Sequence, residues 1–340
     1  MSNADNKNIN YSLNVAKCLA IFAVICIHCT LFKFGRKGLV IDALSRFAVP
    51  LFFLISGYFS FYPNLEKALD KYKIRSYRLV KLLISSVILY FVFYVFVIRY
   101  HSFYDSLFSI TLGHIFDVII FNAYTYGPHL WFIGALLYCY IFYYILGRFK
   151  FDYRKLYVLV PILLVSCLML GEFAAFIGFK HVPITYYRNF LFMALPFFTL
   201  GYFMHDNQEK LIGILSDKNL ILIMVLSCLL VVIEVFTVGK LDLYVGSIIF
   251  AVALVLWCIK NPDKLNFKVA GFIGGTLYTS IYVLHLLVIR MLKMYGIKYG
   301  YFNPIIVFIV TSVISFLIYE ATLFIKQRGK NQPSKTGNEH

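Results

Sequence analysis

Lys17 and His28 stand eleven positions apart in one apolar run, and they are the first residues of the chain whose types suggest chemistry. At about 100° per residue, eleven positions come to three turns plus roughly 20°, so a helix carries both on nearly one face, about 16 Å apart along its axis. Ionisable groups in an apolar run are costly to keep. A neutral imidazole there can take a proton from a hydroxyl, and a lysine can meet an anion. Singly, an interhelical hydrogen bond accounts for His28 and snorkelling to the headgroups for Lys17. Their pairing on one face is what favours function.

A second pair lies in the most basic segment, Arg75-Ser76-Tyr77-Arg78. Two arginines three apart share a helix face and can clamp phosphate through charge-assisted bonds, although a basic loop also serves as a membrane anchor. Cys26 and Cys29 frame His28, but a tetrahedral metal site needs four ligands and no second cluster accompanies them, so they read as packing thiols and no metal is expected. The seven cysteines are scattered singly, without a disulfide framework.

The elements that must position these residues are membrane spans. Residues of the AVILMFWYC set make up 61% of the 340 residues and charged ones 14%, with mean hydropathy +0.79, outside the range of soluble domains. The chain therefore reads as an all-α integral membrane protein, a bundle of about ten transmembrane helices, sitting multi-pass in the cell (inner or plasma) membrane. The expected spans are Leu13–Phe32, Leu44–Tyr62, Leu79–Ile98, Leu130–Gly147, Leu156–Gly178, Phe190–Met204, Leu220–Val238, Leu241–Ile259, Phe272–Leu292 and Pro304–Ile325. Phe103–Asn122, with His114 and Asp117, is amphipathic and is expected to lie along the membrane surface or to re-enter the membrane.

The division follows: a polar segment 1–12, a membrane domain 13–325 and a disordered cytoplasmic tail 326–340. The formal charge of +16 is carried in short segments between apolar runs, which points to orientation in a lipid bilayer rather than to nucleic acid. The Pro63–Val80 and Arg148–Lys155 loops hold the densest Lys and Arg, which predicts both termini cytoplasmic. In the second span, Pro50 should kink the helix, while Ser56 and Gly57 should admit a close neighbour, expected to be the first helix.

Together, Lys17-x10-His28, Arg75-x-x-Arg78 and the Phe-rich Arg46–Tyr58 stretch with its Ser56-Gly57-Tyr58 resemble the membrane acyltransferase family called acyltransferase 3, whose members include bacterial polysaccharide and lipopolysaccharide O-acetyltransferases. Further echoes are His129-Leu130-Trp131-Phe132, the Arg188 to Gly201-Tyr202 region, and Tyr278 to His285. The resemblance runs from Leu13 to about Ile325. It departs in two ways: Lys17 stands where the family more often has arginine, and no extracellular esterase-like domain follows the last helix.

The resemblance implies transfer of an acetyl or other acyl group from acetyl-CoA to a hydroxyl of a cell-surface glycan or lipid-linked sugar. Acyl-CoA would enter from the cytoplasm with its phosphates near Arg75, Arg78 and Lys17, and His28 would act as base, with Lys17 assigned alongside it. Acceptor contacts are expected from Arg46, Arg188, His129, Glu172, Glu234, Tyr282 and His285. Glu172 and Glu234 are expected to orient His28 or to pair with Arg188. The rival is a transporter or flippase for a lipid-linked glycan or another anionic solute, which has no evident reason to keep Lys17, His28, Arg75 and Arg78 in this arrangement. No internal repeat supports that rival.

Overall fold

The computed structural model describes residues 10–98, 111–171, 173, 174, 178, 182–297 and 300–330, and among these every regular element is helical. Eight helices are long and apolar enough to cross a membrane. They are α1 (Tyr11–His28), α2 (Gly35–Tyr58), α3 (Leu65–Val97), α5 (Pro128–Arg148), α6 (Tyr153–Leu170), α9 (Asp217–Thr237), α11 (Lys268–Met294) and α12 (Asn303–Arg328). Among the described residues the shorter α-helices are α4 (Leu112–Phe121), α7 (Leu195–Asp206), α8 (Gln208–Ile214) and α10 (Val245–Lys260).

Two of the ten expected spans therefore fall on short helices. Phe190–Met204 begins with a π turn, Phe190–Ala194, before α7, and Leu241–Ile259 starts late because residues 241–244 form a loop pinned by Tyr244, whose hydroxyl donates to the Gly239 carbonyl and accepts from Leu241 N–H. At the other end of the chain α12 continues past the expected boundary at residue 325. The chain also enters α1 earlier than expected: Asn10 caps it by accepting from Leu13 N–H at 2.8 Å. Of α4, Leu112, Phe116 and Ile120 are exposed and none of its residues is buried, in keeping with a surface helix; residues 103–110 of the expected amphipathic stretch lie outside the described residues.

Pro50 acts on α2 as its chemistry requires. With no N–H to offer the Arg46 carbonyl, the helix tightens to a 3-10 turn at Ser45–Phe47 before resuming as Ala48–Tyr58. The close approach at Gly57 is with α7 and not with α1. A Cβ on Gly57 would sit 1.8 Å from the Phe198 carbonyl oxygen, and one on Gly201 would sit 1.9 Å from that of Leu54, so the two glycines let the backbones cross directly. α1 packs on α2 as well, without such a crossing.

A third close approach sets the centre of the bundle. α11 passes through a π turn, Ile273–Leu277, where Gly274 lies so near the Asn14 carbonyl of α1 that a Cβ would be 1.8 Å away. The helices on the outside are different in kind: only 22% and 17% of the most apolar stretches of α9 and α12 are buried, and Leu226, Ile233, Leu317 and Ile318 point outward, as lipid-facing helices require.

Candidate active site

Pressing α11 onto α1 brings Tyr278 and His285, two helical turns apart, against Lys17 and His28 in turn. The Lys17 ammonium lies 5.5 Å from the Tyr278 ring centre, and the His28 and His285 rings are 5.0 Å apart. Both α1 residues thus address α11, which is the shared face that their spacing predicts.

Lys17 opens onto a cavity of about 500 Å³ between α1, α2, α3, α5 and α11. Arg75 and Arg78 line it too, and no carboxylate does. Among the described residues Lys17 has no ion pair; its nearest polar partner is Asn14 Oδ1 at 3.4 Å, and the Phe59 ring lies 5.8 Å away. Arg75 is held in place, donating to the Phe59 carbonyl (2.9 Å), Ser60 Oγ (2.9 Å) and the Tyr140 hydroxyl (3.3 Å). Arg78, one turn on, is exposed. Three cations thus face one space with no carboxylate among the described residues lining it, and the remaining wall, with Phe52, Ile55, Phe132 and Leu136, is apolar.

His28 does not line this cavity but belongs to a cluster just beyond it. His129 stands 5.1 Å from His285 and 6.3 Å from His28, ring centre to ring centre. Tyr282 joins the two regions: it lines the cavity, its ring lies 5.5 Å from His129 and 5.7 Å from His285, and its hydroxyl donates to the His129 carbonyl. His285 Nδ1 is 2.6 Å from the Tyr282 carbonyl. A carbonyl can only accept, so Nδ1 carries the hydrogen and Nε2 is left as an acceptor. Among the described residues that Nε2 and both ring nitrogens of His129 are buried and have no hydrogen-bond partner. His28 itself is only partly buried.

Other expected site residues fall elsewhere. Arg46 is buried at 7% exposure and committed to carboxylates: Nε and Nη2 reach Asp42 Oδ2 at 3.0 and 2.8 Å, and Nη1 reaches Asp242. It joins α2 to the loop before α10 and has no free fork for an acceptor. Glu234 neither orients His28 nor pairs with Arg188; its two oxygens accept from Val245 and Gly246 N–H, each at 3.0 Å, and so cap α10. Glu172 lies outside the described residues. Arg188 stacks over Trp131 at 5.4 Å.

Two residues that hold Arg75 at the cavity went unread in the sequence, Ser60 and Tyr140. Nothing in their spacing marks them, because their link to Arg75 spans 15 and 65 positions and exists only in the folded bundle.

A family model described as an acyltransferase domain matches residues 10–319. No curated protein and no solved structure matches the chain.

Proposed function

A match over nearly its whole length makes this chain a member of the acyltransferase 3 family, and from that premise we propose that it is a membrane O-acyltransferase moving acetyl from acetyl-CoA to a sugar hydroxyl of a cell-surface glycan. The observation that carries the reading is the convergence of Lys17, Arg75 and Arg78 on one cavity whose far wall, Tyr282, belongs to the histidine cluster. Coenzyme A has that same division, with phosphates at one end and a slender uncharged arm ending in the thioester. The phosphates would lie against the three cations, and the arm would run between Phe52, Ile55 and Phe132 toward Tyr282.

In the reaction the sugar oxygen attacks the thioester carbonyl while His28 Nδ1 or Nε2 takes the hydroxyl proton. The C–S bond then breaks, the ester remains on the sugar, and the CoA thiolate recovers a proton from the imidazolium. Neighbouring His285 and His129 keep the surroundings polar without adding a fixed negative charge. The protein would sit in the plasma or inner membrane with the Arg75 end facing the cytoplasm, where acetyl-CoA is made.

Mass spectrometry of surface glycans from cells with and without the gene tests this. The expected result is an O-acetyl mass increment present only with the gene. Identical glycans, together with purified protein that does not bind acetyl-CoA, would overturn it.

A further inference from the structure

The end of the bundle that carries His28 holds a second cavity, of about 180 Å³, walled by the end of α4, the loop into α5 and residues 185–188. At that size, against roughly 300–1,000 Å³ for typical small-molecule pockets, it has no room for a nucleotide cofactor. Asp117, Asn122, Thr125, Trp131, Thr185 and Arg188 line it. The cavity and the histidine cluster share the Pro128–Leu130 turn, Pro128 facing the cavity and His129 the histidines.

Its polar groups are unspent. Asn122 takes the left-handed conformation (φ 55°) that ends α4, and its side chain is fully buried. Its Oδ1 accepts from Phe190 N–H at 3.1 Å, while among the described residues its buried Nδ2 has no partner and is left to meet an acceptor. Asp117 is exposed, and among the described residues its carboxylate forms no ion pair, although Arg188 lines the same space. Arg188 stacks over Trp131, the residue that follows the Pro128–Leu130 turn carrying His129.

Donors, acceptors and an aromatic wall around a small space match a polyhydroxy ring, whose hydroxyls both give and receive hydrogen bonds and whose C–H faces are apolar. We propose that this cavity is the acceptor subsite and holds one sugar residue, with Asn122 Nδ2 and Asp117 bonding its hydroxyls and Arg188 aligning it toward His28. The proposal rests on the acyl-transfer reading and supplies the place where the acceptor sits.

The chain has two tryptophans, Trp131 and Trp257, so Trp257→Phe leaves Trp131 as the sole reporter at the cavity wall. Full-length protein of that background, in a detergent without a sugar headgroup, would be titrated with the methyl glycosides of glucose, galactose, rhamnose and N-acetylglucosamine. Acetyl-CoA binding would be measured on the same preparation. The expected result is a saturable change in Trp131 emission for at least one sugar, weakened at least about tenfold by Asp117→Ala or Thr185→Val. Asp117 is exposed, so its loss should not disturb folding.

No saturable signal from any sugar in protein that binds acetyl-CoA would overturn the subsite and leave the acyl-transfer reading standing. Equal sugar affinity in both variants would likewise overturn it. Saturable, Asp117-dependent sugar binding without acetyl-CoA binding would keep the sugar site and remove the acyl-transfer reading.

Discussion

The Nδ1 of His285 lies 2.6 Å from the carbonyl oxygen of Tyr282, one turn earlier on α11, and this bond fixes which nitrogen of His285 is free. The free Nε2 is buried in a ring whose centre is 5.0 Å from that of His28. A neutral, unpartnered acceptor at that place is open to a hydrogen-bearing nitrogen of His28 or to an incoming hydroxyl. We expect His285 to act as a positioning residue.

We expect His285→Ala to lower kcat for transfer about tenfold and to shift the pH profile of the rate, with acetyl-CoA affinity unchanged. Rates would be followed in purified protein across pH. An unshifted profile with full kcat would reduce His285 to packing.

The Gly57–Gly201 crossing makes a different kind of prediction. A methyl at Gly57 would collide with backbone, which cannot rotate aside, so Gly57→Ala should destabilise the bundle by about 1–3 kcal/mol or more. Thermal unfolding in detergent would read it as a lowered midpoint. Gly35→Ala is the poor control, since its φ of 72° is itself strained for alanine; Gly213→Ala, in open space, should leave the midpoint unchanged.

How much of this was legible beforehand depended on the range of the signal. Lys17 and His28 sit on one helix, so their spacing alone predicts a shared face, and Arg75 and Arg78 likewise reach one cavity. Glu234 and Arg46 were misread for the opposite reason. An acid or a base in an apolar run invites a functional reading, yet the partners that absorb them, Val245 and Gly246 N–H for Glu234 and Asp242 for Arg46, are supplied by tertiary packing. Gly57 was legible as a close approach but not its partner, because a small residue shows that a helix comes near without showing which one.

Arg46 can be tested on that distinction. Removing a buried cation that compensates Asp42 and Asp242 should cost about 3–5 kcal/mol, so Arg46→Ala should deplete folded protein in the membrane. Adding Asp42→Asn and Asp242→Asn should restore part of the yield. A well-folded Arg46→Ala protein whose only defect is a raised KM for the acceptor would contradict this structural assignment.

For the anion site, Arg75→Ala with Arg78→Ala should weaken acetyl-CoA binding at least about tenfold and leave the dephosphorylated acyl arm, acetyl-pantetheine, bound as before, because only the phosphate contacts are lost. Binding would be measured by calorimetry in detergent. Arg78→Lys should be better tolerated than Arg75→Lys, since Arg75 alone uses its fork on three partners. Equal loss for both ligands would show that the bundle, not the charge, had been damaged.

The central claim is that His28 removes the proton from the acceptor hydroxyl, and the most direct measurement compares His28→Gln with the parent in purified protein given acetyl-CoA and glycan acceptor. General-base catalysis contributes about 100- to 10,000-fold, whereas a packing hydrogen bond within a membrane bundle is worth about 1 kcal/mol, or some fivefold, and glutamine would largely replace it. The account predicts that His28→Gln folds, binds acetyl-CoA with the affinity of the parent and transfers acetyl at least about 100-fold more slowly. Transfer within a few-fold of the parent rate would contradict it.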